Sequence, residues 1–142
     1  MTIDEGAHLI AAMAAKGRIE ASDVATLRRA FFVEGPTTRE QVDALFALEA
    51  MRLSKAPEWT EFLVSTSTAH VVWESRPSGV VSESQAEWLL ARADEAASVG
   101  ALAALVDAMA EAQRVPAWFL AAVRARAARG WTGVNEALDA AA

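Results

Sequence analysis

Gly17-Arg18-Ile19 leads into a helical stretch carrying Val24 and Leu27, and Gly79-Val80-Val81, 62 positions later, leads into another carrying Ala86 and Leu89. Ala56-Pro57-Glu58-Trp59 returns as Val115-Pro116-Ala117-Trp118, 59 positions later, so one gap of three residues brings both pairs into register. A glycine before an aliphatic residue marks a turn into a helix, and a proline two residues before a tryptophan marks a helix start. Their recurrence predicts a single all-α domain of seven to eight helices. Two pseudo-repeated units, about residues 5–75 and 76–130, share one core, and a short C-terminal helix covers 132–142.

Outward from Gly17, the spacing of Leu9, Ile10 and Met13 predicts a first helix over about Glu5 to Lys16, closed by Gly17. Ser22 is the expected N-cap of a second, which carries Val24, Leu27, Phe31 and Phe32 and stops at Gly35-Pro36. Thr37 or Thr38 caps a third, with Glu40 or Gln41 as capping-box partner and Val42, Leu45, Phe46 and Glu49 as its stripe, which turns apolar again at Met51 and Leu53. Pro57 opens the fourth.

From Trp59 to Ser75 two periods compete. Phe62, Thr66, Ala69 and Trp73 form a helical stripe, while Val64, Thr66, Thr68, His70 and Val72 alternate as a strand would. Helix is the expectation, because the matching segment Trp118 to Ala128 is helical and a lone hairpin is marginal. Ser82 or Ser84 caps a fifth helix through Ala86, Leu89, Leu90 and Ala93. Gly100 separates it from a sixth, through Leu102, Leu105, Val106 and Met109. Pro116 begins the seventh, Gly130 closes it, and Val134, Ala137 and Leu138 belong to the last short helix.

With 142 residues, 54% hydrophobic and 23% charged, the chain has the composition of one globular domain. Its 34 alanines favour helix and close helix approach. A net charge of −6 argues against binding a phosphate backbone, so no nucleic-acid partner is expected. Arg124, Arg126 and Arg129 fall on different helix faces and read as solvated charges complementing a helix C-terminus. The absence of cysteine excludes disulfides, thiolate nucleophiles and Cys-ligated zinc. Met1-Thr2-Ile3-Asp4-Glu5-Gly6 lacks the order of a signal peptide, and the longest apolar runs are too short to span a bilayer. A cytoplasmic protein without membrane insertion is expected.

A glycine turn between helices invites comparison with a calcium loop, which needs acids at positions 1, 3 and 5 and a glutamate at 12. Those positions hold Ala12, Ala14, Lys16 and Asp23 around Gly17, and Glu74, Arg76, Ser78 and Gln85 around Gly79. Neither turn has a ligand set. His70 and Glu74 stand one helical turn apart, which is two groups and not a metal site, so His70 reads as a paired structural histidine. Ser65-Thr66-Ser67-Thr68 precedes His70 without a nucleophile elbow, and such hydroxyls bond back to the carbonyl one turn earlier. Glu83 with Glu87, and Asp94 with Glu95, read as a solvated acidic face. Trp59 and Trp118, matched in the repeat, are expected to be twin core anchors, while Trp73, Trp88 and Trp131 mark an interface where exposed.

Ala14-Ala15-Lys16-Gly17-Arg18-Ile19 with Asp23 resembles the start of the TerB-like helical domain of tellurite-resistance proteins, in which an Ala-Asp-Gly-x-Ile turn precedes an acidic residue in the next helix. Ser78-Gly79-Val80-Val81 repeats the turn. Lys16 and Ser78 stand where that family has Asp, and Gln85 replaces the second acid, so the metal binding the resemblance implies does not carry over. Pro57 to Phe62, and Pro77 to Val81 with Trp88-Leu89, also resemble uncharacterised bacterial helical-repeat proteins.

No catalytic, cofactor or metal residue is assigned, and the chain is not read as an enzyme. The expected role is a non-catalytic interaction or scaffold protein with a protein partner or self-association through apolar helix faces. The alternatives are a metal-responsive TerB-like stress protein using Asp23, Glu20 and Glu74, and an enzyme using His70 with a nearby hydroxyl.

Overall fold

Helix α1 (Thr2–Lys16) ends at Gly17, whose φ of +83° closes the helix while its N–H donates to the Met13 carbonyl at 3.0 Å. A side chain there would be strained, which is why glycine holds the corner. In the computed structural model, which describes residues 2–129, the next two residues form β1 (Arg18–Ile19). This strand pairs in parallel with β2 (Ser54–Lys55), and the Ala56 N–H donates to the Ile19 carbonyl at 2.9 Å. At the second corner Gly79 has φ +86°, Val80 bridges Arg114 in parallel, and the Val81 N–H donates to the Arg114 carbonyl at 3.0 Å. The two glycine corners are not paired with each other. Each is instead fastened to the stretch that runs into Pro57 or Pro116.

Local capping sets most helix starts. Helix α2 (Ala21–Glu34) begins one residue before the Ser22 expected as its N-cap. The Asp23 carboxylate takes the Glu20 N–H at 2.9 Å, and Ser22 lies inside the helix with its carbonyl accepting from Thr26 Oγ1. Helix α3 (Arg39–Ala50) has the complete capping box of Thr38 and Gln41. Helix α4 (Pro57–Thr68) has Pro57 in its first turn, and Ser82 caps α5 (Glu83–Ala96). Gly100 does not separate helices: Ser98 caps α6 (Val99–Glu111), and Gly100 is buried in its first turn. Helix α7 (Ala117–Arg129) completes the described fold. Gly130, Trp131 and the short helix expected over 132–142 lie outside the described residues, as does the side chain of Phe32.

Residues 59–73 are helical rather than part of a hairpin, and Glu74 and Ser75 fall in the bend that follows. α4 continues through a π-helical turn (Ala69–Trp73), where the Glu74 N–H reaches back five residues to the Ala69 carbonyl at 2.7 Å. Hydroxyls compete for carbonyls along this helix: Ser67 Oγ takes that of Leu63 at 2.6 Å and Ser75 Oγ that of Val71 at 2.8 Å. The Val72 carbonyl is taken by the Gly79 N–H and that of Trp73 by Ser78 Oγ, so the returning turn caps the helix end.

One contiguous core runs from Met13 to Val123. Helix α4 packs between α2 and α6, and α3 packs against α1 and α5. Trp59 is fully buried, with Phe62 beside it and Phe31 edge-on to Phe62. Trp118 is not its twin: it is 37% exposed and bonds Glu83 at 3.0 Å, and the neighbouring Phe119 enters the core in its place. α7 thus presents a different face to the core than α4 does. Among the described residues no helix is long and apolar enough to cross a membrane.

Candidate functional site

At the first corner a cation is already in place. Lys16 Nζ lies 2.9 Å from Glu20 Oε1 and 2.5 Å from Asp23 Oδ2, so the ammonium occupies the space between the two carboxylates that a metal-binding reading would use. Hydrogen bonding to Lys16 holds the Glu20 carboxyl below its usual range. Burial pushes Asp23 upward, but the Lys16 and Glu20 N–H bonds outweigh it and hold that carboxyl low as well. Glu74, the third residue of that reading, is engaged elsewhere: its Oε1 accepts from the Thr37 N–H at 2.9 Å and the Thr37 hydroxyl at 2.8 Å.

His70, on the π-helical turn, completes this second cluster. Its Nδ1 lies 3.1 Å from the Thr37 carbonyl and 3.9 Å from Glu74, and its ring meets the Trp88 ring edge-on at 5.5 Å. A carbonyl only accepts, so the proton sits on Nδ1 and that nitrogen does not act as a base toward Thr37. Burial lowers the His70 pKa, against the opposing effects of the Thr37 carbonyl and of the Glu74 and Asp43 charges; the Arg39 charge lowers it further. Because the unfolded ring takes a proton more readily, His70 contributes stability in full above its ordinary value of about 6.5 and loses it as pH falls through the folded value. In thermal melts across pH 7 to 5, the difference in Tm between wild type and His70→Gln should therefore move against the wild type on acidification. A constant difference would refute this.

A buried carboxylate that sequence periodicity placed only in a stripe ties three helices together. Glu49 of α3 is 2% exposed, and its Oε1 accepts from Trp59 Nε1 at 2.8 Å and Lys55 Nζ at 3.0 Å. Its Oε2 accepts from Ser98 Oγ at 2.5 Å. Ser98 also caps α6, and a Cβ on Gly100 would lie 2.7 Å from Glu49 Oε2. These contacts consume the carboxylate, so the cluster is a structural brace.

An open groove of about 490 Å³ lies between α4, its π-helical turn and α6. Thr60, Val64 and Thr68 recur every four residues along α4, as do Glu61, Ser65 and Ala69; Trp73 closes one end and Asp107 and Glu111 form the α6 wall. Trp73, 41% exposed, donates Nε1–H to Glu111 Oε1 at 2.9 Å, and Thr68 Oγ1 donates to Asp107 Oδ2 at 2.7 Å. The extra residue of the π-helical turn shifts Trp73 out of the ordinary helical register. Three carboxylates line the groove and no Lys, Arg or His does. Thr68 thus turns toward another helix, whereas Ser65 and Ser67 bond back to the Phe62 and Leu63 carbonyls of their own helix.

Of the remaining residues singled out by sequence, Trp88 is half-buried, donates to Asp43 at 2.7 Å and carries the Arg39 guanidinium 4.9 Å over its ring. Arg126 is not a solvated cap: its guanidinium grips Asp94 through two bonds of 2.6 and 2.7 Å, joining α7 to α5. An apolar depression of about 240 Å³ lies between α1 and α3, lined by Ile10, Leu48, Met51 and alanines. The groove combines an exposed indole with hydroxyls and carboxylates. No family model, curated protein or solved structure matches this chain.

Proposed function

We propose that this chain is a non-catalytic protein-interaction module whose docking face is the groove between α4 and α6. The observation that carries this reading is Trp73, a large aromatic left 41% exposed at the end of an open groove. Indoles so placed supply much of the binding energy of protein interfaces, because they bury a large area and retain one polar contact.

The test is to recover a partner from host extract with the tagged chain, purify it, and titrate it calorimetrically against wild type, Trp73→Ala and Trp118→Ala. Trp118 is the other exposed tryptophan among the described residues and lies on α7, outside the groove. The expected result is a Kd raised about ten-fold or more by Trp73→Ala and little changed by Trp118→Ala. Equal binding by Trp73→Ala and wild type, or no recovered protein, would overturn the reading.

A further inference from the structure

Val99, Ala103, Val106 and Ala110 share one face of α6, because their spacing of three and four residues follows the helical turn. Val99 is 39% and Val106 42% exposed, so this apolar face has no partner within the described fold. Asp107 and Glu111 border it on the groove side, four residues and therefore about 6 Å apart along the axis. Each spends one oxygen on α4, on Thr68 or Trp73, and turns the other to no protein donor among the described residues. Glu61, across the groove, has no protein partner there.

We infer that the partner is a basic amphipathic helix that lays its apolar face on Val99 and Val106 and sends arginine or lysine side chains into the groove, against Asp107, Glu111 and Glu61. This rests on the groove being the docking face. The about 6 Å step between the two α6 carboxylates equals the step between cationic side chains four residues apart on a partner helix. A guanidinium entering between them reaches the exposed face of Trp73, where cation–π attraction adds to the ion pairs. A second copy of this chain fits poorly, because each copy carries a net charge of −6. Contacts of this kind steer association and weaken with salt.

The experiment uses the full chain and two fluorescent 18-residue helical peptides with the same leucine face, one bearing arginine and the other glutamate on the opposite face. Anisotropy titrations compare wild type, the double variant Asp107→Asn/Glu111→Gln, Val106→Asp, and Glu40→Gln/Glu87→Gln. The last removes the same charge at exposed positions away from the groove. The arginine peptide should bind wild type and the Glu40/Glu87 variant alike, and bind the Asp107/Glu111 and Val106 variants about ten-fold more weakly. Raising salt should weaken it, and the glutamate peptide should not bind. Equal binding to both double variants, binding of the glutamate peptide, or no binding of the arginine peptide would overturn the inference. Circular dichroism confirms that each variant is folded. If a partner recovered from host extract loses affinity with Trp73→Ala yet binds independently of salt, the interaction reading stands and the basic helix falls.

Discussion

Glu49→Ala should destabilise the protein by about 3–5 kcal/mol, measured by denaturant unfolding, the range for breaking a buried charged network from one side. The substitution leaves the buried Trp59 N–H and Ser98 hydroxyl without their acceptor, each an unmet polar group costing about 1–3 kcal/mol. Lys55, 19% exposed at its side chain, recovers some hydration, which keeps the loss from being larger. Glu49→Gln should cost less, because an amide oxygen still accepts from Trp59 and the Ser98 hydroxyl can accept from the amide nitrogen. Gly100→Ala provides an independent check on the same geometry. Its Cβ meets a carboxylate oxygen held by Ser98, and overpacking of this kind costs about 1–3 kcal/mol. In the double variant Glu49→Ala/Gly100→Ala the clash disappears, so the two losses should sum to more than the measured one. A loss below about 1 kcal/mol for Glu49→Ala would show that the brace is dispensable.

Trp59→Ala should be comparably costly, about 3–5 kcal/mol, as for other large aromatics removed from a core. Trp59 is fully buried against Phe62 and also donates to Glu49. Trp118→Ala, at the position the repeat equates with it, should cost about 1 kcal/mol or less, because the side chain is 37% exposed and its hydrogen bond to Glu83 lies at the surface. Trp59→Phe separates the two contributions of Trp59: the ring stays and the N–H is lost, so an intermediate loss is expected. Equal losses for the two tryptophan-to-alanine variants would mean that α7 buries Trp118 in solution as α4 buries Trp59.

Much of the fold was legible because its signals are local. Gly17 and Gly35 end helices, Thr38 with Gln41 and Ser82 start them, and Pro57 sits in a first turn, all through hydrogen bonds that span a few residues. Ser22 is not the cap because the helix starts one residue earlier, with Asp23 at its third position taking the Glu20 N–H that precedes the helix. Gly100 was misread as a break for a non-local reason: it makes room for a carboxylate 51 positions earlier in the chain.

The candidate site was less legible. Trp73 and the hydroxyls of Ser65 and Thr68 were visible as unusual residues, but their relation to Asp107 and Glu111 depends on which faces of α4 and α6 meet. Glu49 read as one position in a helical stripe, and only the convergence of Lys55, Trp59 and Ser98 shows why a carboxylate can be buried there.

The amino-acid sequence by itself thus determined that this chain is helical, where most helices begin and end, and which corners need glycine, since each follows from backbone hydrogen bonds and sterics within one or two turns. The tertiary structure alone decided that Trp59 is core and Trp118 surface, that Lys16 fills the space between Glu20 and Asp23, and that α4 and α6 leave a groove edged with carboxylates. Those outcomes depend on how each helix is rotated against its neighbours, and that rotation is set by packing between residues dozens of positions apart.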